Sequence, residues 1–142
     1  KSILDIGLTL EYLETMGVPI IGYQSEILPS FYSRESNFCV DYKCDTPQEI
    51  ASAIKIKKKL KIKGGVLVCN PIDKEHSISK EKLDKVIQKS LQNAKFKNVK
   101  GKDLTPFLLS EVQKLTSGES LESNINLMLS NAKLSSKIAK LF

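Results

Sequence analysis

Two short apolar runs constrain this chain more than any other feature. Residues 18–23 and 66–69 are compact and almost uninterrupted, and each is followed within a few tens of residues by an amphipathic pattern. Short continuous apolar runs are expected of strands covered by helices on both faces. Their alternation with helical patterns predicts an α/β fold, with helices packed on a mostly parallel sheet and a helical C-terminal end. Two clear strands are too few for a self-sufficient parallel sheet. The chain also opens at Lys1, without an initiator methionine, inside an apparent strand-to-helix turn. Both features are expected of a domain that is incomplete without an N-terminal half.

Residues 5–15 pattern as a short helix, with Leu4, Leu8, Tyr12 and Thr15 on one stripe and Gly17 where a C-cap belongs. Pro19 suits a strand start, where its missing N–H needs no partner. The stretch after Ile27 carries turn residues and aromatics and reads as a long excursion, with a short edge strand expected at 38–42. Thr46, Pro47 and Glu49 mark a helix start sharply. Threonine caps, proline fits the first turn, and the glutamate can return a hydrogen bond to the cap. That helix is expected to reach about residue 61. Further helices are expected at 79–98, from Thr105-Pro106 to near Gly118, and from Ser120 nearly to Phe142.

Charge narrows the partners. The chain carries a formal +6, and residues 51–100 hold 14 lysines against Asp73, Glu75, Glu81 and Asp84. Such a field attracts anions such as phosphorylated metabolites, or is simply the solvated surface of lysine-rich helices. Arg34 is the one arginine, and no basic stripe is interleaved with aromatics. A dedicated nucleic-acid binder is therefore not expected, because arginine carries most bidentate contacts to bases and phosphates. No apolar run approaches the roughly 20 residues of a membrane span, so no membrane partner is expected either. Cys39, Cys44 and Cys69 contain no CxxC pair and read as reduced thiols of an intracellular protein.

Few residues invite chemistry on their own. Lys1, at a strand-to-helix turn, is where a Schiff-base lysine would be useful, but a surface lysine looks the same. Asp5, four residues on, could orient it or could serve the first turn of a helix. Asn70 follows the second apolar run and precedes Pro71. It is either an amide at the ligand edge of the sheet or a turn residue. Asn124 and Asn131 are seven apart and share a helix face, with Asn126 roughly opposite Asn124. Ser33, Arg34 and Ser36 could meet a phosphate. Tyr12, Tyr23, Phe31 and Tyr32 read as core or interface residues before they read as a stacking platform. His76 is the sole histidine, so neither a histidine metal cluster nor a Ser-His-Asp triad is expected. Gly64-Gly65 lacks phosphate-loop spacing and reads as a tight approach to a strand.

The string KSILDIGLTLEYLETMGVPIIGY, followed in order by LPSFYSRESNF, GGVLVCNPI, GKDLTPFLLSEV, LTSGESLESNINLMLSNA and KIAKLF, resembles the pseudouridine-5'-phosphate glycosidase family. That family also includes the indigoidine-synthase A proteins. The resemblance covers nearly the whole chain but only the C-terminal half of the family's catalytic domain. It implies that Lys1 is the covalent nucleophile and that Asn124 lies near the bound sugar. Cys69 stands where alanine is expected. The family's proton-donating glutamate, its manganese-binding aspartate and most of its phosphate contacts would lie upstream, in a missing N-terminal half or a companion chain.

The implied reaction is reversible cleavage of the C–C glycosidic bond of pseudouridine 5'-phosphate to uracil and ribose 5-phosphate, through a lysine–ribose adduct. The resemblance further implies Mn2+ as cofactor and a homotrimer. A cytoplasmic address is expected, or an organelle if a targeting sequence precedes Lys1. The isolated fragment is expected to be inactive. The alternatives are a noncatalytic interaction or scaffold fragment of the same fold, and less readily a basic nucleic-acid-binding module.

Overall fold

The computed structural model describes residues 5–142. Lys1 lies outside the described residues. Among those described, the chain forms α1 (Ile6–Thr15), β1 (Ile20–Tyr23), β2 (Tyr42–Cys44), α2 (Pro47–Lys59), β3 (Leu67–Cys69), α3 (Lys80–Phe96), α4 (Leu104–Leu115) and α5 (Glu119–Ala139). The three strands make one parallel sheet in the order β2-β1-β3. Ile21 sits opposite Tyr42 on one side and Val68 on the other. The sheet is not closed, and β2 and β3 are its edges.

Two apolar clusters hold this arrangement. Ile21, Cys44 and Ile50 pack the sheet against α2, with Val66, Val68 and Ile138 from α5 around them. Ile78, Leu83, Ala94, Leu108 and Val112 join α3 to α4, and Tyr32 from the excursion plugs into them. A backbone bond, Ile78 N–H to Tyr32 C=O at 2.8 Å, ties that plug to the chain entering α3. Glu111 is the one buried carboxylate here. It accepts from Asn93 Nδ2 at 2.9 Å and from Lys114 Nζ at 3.4 Å. The hydrogen bond from Asn93 holds its carboxyl below the usual carboxylate range, against the opposing effect of burial. Its stabilisation is present above the unfolded pKa and disappears as pH falls through the depressed one.

The helix ends follow the sequence signals closely. Gly17 takes φ +63°, and the bonds Gly17 N–H to Glu14 C=O and Val18 N–H to Leu13 C=O close α1 with a six-to-one, five-to-two pair. The same pair closes α2 at Lys61, α3 at Asn98 and α4 at Ser117, all at positive φ without glycine. Thr46 caps α2 by accepting from the Glu49 N–H at 3.3 Å. The Glu49 carboxylate reaches one residue further back than expected, to the Asp45 N–H at 2.7 Å.

Four expectations need correction. The edge strand at 38–42 is displaced. β2 begins at Tyr42 and runs parallel to β1, while Cys39 makes only an isolated antiparallel bridge to Ile27. Its signal was weak because Cys44 alone is buried. Gly64-Gly65 makes no close approach: a Cβ on Gly65 would meet nothing within 4 Å, and Gly64 serves a turn at φ +85°. The last two helices begin one residue early, at Leu104 and Glu119. On α1 the stripe of Leu8, Tyr12 and Thr15 faces outward, with Leu8 and Tyr12 each 65% exposed and Met16 continuing the stripe. Ile6, Leu10 and Leu13 form its inner face instead.

Candidate functional site

In a parallel sheet the strands' carboxyl ends point to where ligands collect. Asn70 lies there, one residue beyond β3, and is half-buried. Its Nδ2 donates to Ser130 Oγ and to Asn131 Oδ1, each at 3.0 Å, and so pins the end of the strand to the middle of α5. Asn70 and Asn131 both line a cavity of about 240 Å³, whose apolar walls include Leu10 and Leu13 of α1, Phe31 of the excursion and Leu127 of α5. α1 therefore forms one side of this cavity, and Ile6 at its first turn is part of the lining.

Cys69 lines the same cavity beside Asn70. Burial pushes its thiol from the ordinary 9.0 up to about 11. The thiolate is the reactive form, and that rise cuts the thiolate fraction about 100-fold at neutral pH. Cys69 should accordingly react with iodoacetamide at pH 8 about 100-fold more slowly than a free cysteine, with exposed Cys39 as the internal comparison. Equal labelling of the two sites, read by peptide mass spectrometry, would contradict this.

Asn124 belongs to a different cavity, of about 280 Å³, shared with Tyr32, Gln113 and Ser120. Burial raises the Tyr32 hydroxyl, and a hydrogen bond with Ser120 partly offsets it. The two cavities adjoin at an aromatic pair. Phe31 lines one and Tyr32 the other, with ring centroids 4.4 Å apart at 71°. Thus the described residues bring Asn70 together with Asn131, and not with Asn124. Nothing in the sequence linked Asn70 to Asn131, because the contact spans 61 positions and depends on how α5 crosses the strand end.

The remaining candidates have structural partners. Asp5 caps α1, its Oδ1 accepting from the Leu8 N–H at 3.0 Å. Arg34 Nη1 donates to the Ile72 carbonyl, and Ser33 Oγ accepts from the Glu35 N–H at 3.2 Å. Ser36 Oγ donates to the Leu28 carbonyl at 2.6 Å. Arg34 thus latches the excursion onto the chain after β3, while the two serines brace the excursion internally. His76 contributes its backbone carbonyl, which accepts from Ser123 Oγ at 2.6 Å. Asn126 donates to the Glu122 carbonyl one turn back. Among the described residues no group of three or more histidine, cysteine, aspartate or glutamate side chains could hold a metal ion. These residues therefore do not fit a manganese centre. No described helix is long and apolar enough to cross a membrane.

The family described as indigoidine synthase A like protein matches residues 1–141. The chain belongs to that family. It is 54% identical to the pseudouridine-5'-phosphate glycosidase of Petrotoga mobilis over its full length, which is 46% of that protein. It is 48% identical to the Brachyspira hyodysenteriae enzyme of the same name, with 98% of this chain and 45% of that protein covered. The chain thus spans about half the length of the curated relatives it matches. Among solved structures, the prealnumycin C-glycosynthase AlnA in complex with ribulose 5-phosphate superposes with a TM-score of 0.86 at 29% identity, covering 99% of this chain and 48% of that one. An indigoidine synthase A-like protein from Thermotoga maritima also gives 0.86, at 32% identity, covering 97% and 45%.

Proposed function

We propose that this chain is the C-terminal part of a pseudouridine-5'-phosphate glycosidase, contributing the nucleophile and one wall of the active site. The observation that carries the reading is identity of 46–54% to glycosidases of that name over 98–100% of the chain. The ribulose 5-phosphate held by the C-glycosynthase supports a pentose phosphate as the ligand class.

Lys1 is assigned the nucleophile's role by the KS-x-LD resemblance. Chain connectivity supports it: Lys1 is five residues from Ile6, which lines the cavity, a reach of at most about 18 Å. A C–C glycosidic bond has no leaving heteroatom, so direct departure of the base is difficult. Ring opening breaks the C1'–O4' bond with its electrons left on O4', the neutral amine bonds to C1', and the proton lost by the nitrogen balances the one taken up by O4'. The nitrogen lone pair then forms an iminium as the C1'–C5 bond breaks, its electrons pass to C5 of the uracil, and C5 takes a proton. Water adds to the iminium, releases ribose 5-phosphate and returns the amine. The proton donor at C5 is expected outside the described residues, as are ligands for Mn2+. Asn124 is assigned to the sugar by the same resemblance, and Asn70 to substrate binding by its position at the strand's end.

The outward stripe of Leu8, Tyr12 and Met16 is assigned to contact with the part of the family's length that this chain does not cover. Assembly as a homotrimer is proposed from the resemblance, and the mass of the full-length protein in solution tests it.

Uracil release from pseudouridine 5'-phosphate tests the whole reading. A protein of the family's full length should turn over, whereas the 142-residue chain alone should show no turnover above a Lys1-blocked control. Turnover by the chain alone would favour a self-contained site. A full-length protein without turnover would favour the scaffold alternative.

A further inference from the structure

Asn70 and Asn131 form a wall with hydrogen-bonding capacity left over. Both N–H groups of Asn70 Nδ2 are engaged, one by Ser130 Oγ and one by Asn131 Oδ1. Among the described residues nothing donates to Asn70 Oδ1, and Asn131 Nδ2 donates to nothing. The pair therefore fixes one acceptor oxygen and one donor amino group on a shared wall, held by two 3.0 Å bonds. Neither amide can flip alone without setting like against like, and flipping both exchanges the two roles but still leaves one acceptor and one donor on the wall.

The rest of the cavity is mostly apolar: Leu10, Leu13, Phe31 and Leu127 face the same space, the Thr9 hydroxyl is spent on the Asp5 carbonyl at 2.8 Å, and Cys69 adds a thiol. At about 240 Å³ it falls below the roughly 300–1,000 Å³ of clefts that take drug-sized ligands, so it suits a single small ring and not a whole nucleotide. An apolar slot ending in one acceptor and one donor matches a pyrimidine with an N–H beside a carbonyl. It does not match a phosphate, which would want donors only, or a sugar, which would want a more polar lining. On the reading that the substrate is pseudouridine 5'-phosphate, we infer that Asn70 and Asn131 read the imide edge of its uracil. Asn70 Oδ1 accepts from N3–H, and Asn131 Nδ2 donates to a neighbouring carbonyl. N3–H has a carbonyl on either side, so the pair accepts the ring in either orientation. Asn131 is then a specificity-determining residue for the base, distinct from the residues assigned to the sugar.

The test uses the full-length protein in the synthetic direction, with uracil and ribose 5-phosphate varied separately. Asn131→Asp keeps the side chain's shape and an oxygen for Asn70 but removes the donor. It should raise KM for uracil about 10-fold, the loss expected when one hydrogen-bonding partner is left unpaired, while KM for ribose 5-phosphate stays within about twofold. Equal rises in both would mark a merely structural role and overturn the inference, as would an unchanged KM for uracil. N3-methyluracil with the unaltered protein needs no variant to fold: it should be used at least about tenfold less well than uracil, and equal use would overturn the inference on its own. If the unaltered protein makes no C–C bond between uracil and ribose 5-phosphate at all, the glycosidase reading fails and this one with it.

Discussion

Gly22→Ala should be among the most damaging single substitutions in this chain. Gly22 is at the centre of the sheet, opposite Lys43 on one side and Cys69 on the other. A Cβ there would stand 2.1 Å from the backbone oxygen of Ser25 and 3.2 Å from its carbonyl carbon, with Val40 Cγ2 at 3.0 Å. Rotating a side chain does not relieve a collision with backbone. Either the strand shifts, breaking registers on both sides, or the turn at Gln24 opens. That turn is itself tight: Gln24 has φ +55°, and its N–H donates to the Cys44 carbonyl at 2.8 Å. The expected destabilisation exceeds about 3 kcal/mol, at the severe end for one substitution, and the melting midpoint of the full-length protein should fall by roughly 5 °C or more. A midpoint within about 3 °C of the unaltered protein would show that the turn moves freely. Gly65→Ala is the control, because its added methyl meets nothing within 4 Å.

Gly22 also shows where reading from sequence stops. The run 18–23 was legible as a strand from its apolar character and Pro19, and the Leu67 N–H does reach the Pro19 carbonyl at 3.0 Å. That its fifth position, Gly22, must be glycine was not legible, because the obstacle is Ser25 folding back over the strand. Helix ends were legible for the opposite reason. Capping is local chemistry within about four residues, so Thr46, Pro47, Glu49 and Gly17 announced themselves. Lys61 and Ser117 did not, since nothing in a lysine or serine suggests a positive φ.

The inner face of α1 was misread because the helix is apolar on two sides. Leu8, Tyr12 and Met16 make as good a stripe as Ile6, Leu10 and Leu13, and periodicity cannot choose between them. The choice depends on what lies on each side, which periodicity does not report, and this chain spans about half its relatives' length. The candidate site divides similarly. Asn70 could be suspected from its place after a strand. Its bonds to Ser130 and Asn131 could not, because they join positions 60 and 61 residues apart. Arg34 drew attention as the one arginine, yet its guanidinium meets the Ile72 carbonyl, a use that composition does not reveal.

Lys1→Arg in the full-length protein should abolish turnover while leaving substrate binding largely intact. Two properties of lysine are separable here. One is positive charge, which would attract a phosphorylated substrate from a distance. The other is an amine able to lose its proton and form a carbon–nitrogen bond. Arginine keeps the first and lacks the second, because its guanidinium stays protonated at any relevant pH. If Lys1 acts only through charge, arginine should preserve most of the rate. If it forms the adduct, removing the nucleophile should lower kcat at least about 10³-fold, in line with losses seen when a covalent nucleophile is deleted. Borohydride gives an independent readout: reduction during turnover should attach one reduced pentose phosphate to the peptide containing Lys1, and to no other lysine among the 14 of residues 51–100. An arginine variant retaining more than about a tenth of kcat, or an adduct trapped elsewhere, would move the chemistry away from Lys1. The cavity beside α1 would then have to be explained without it, as a slot for the base alone.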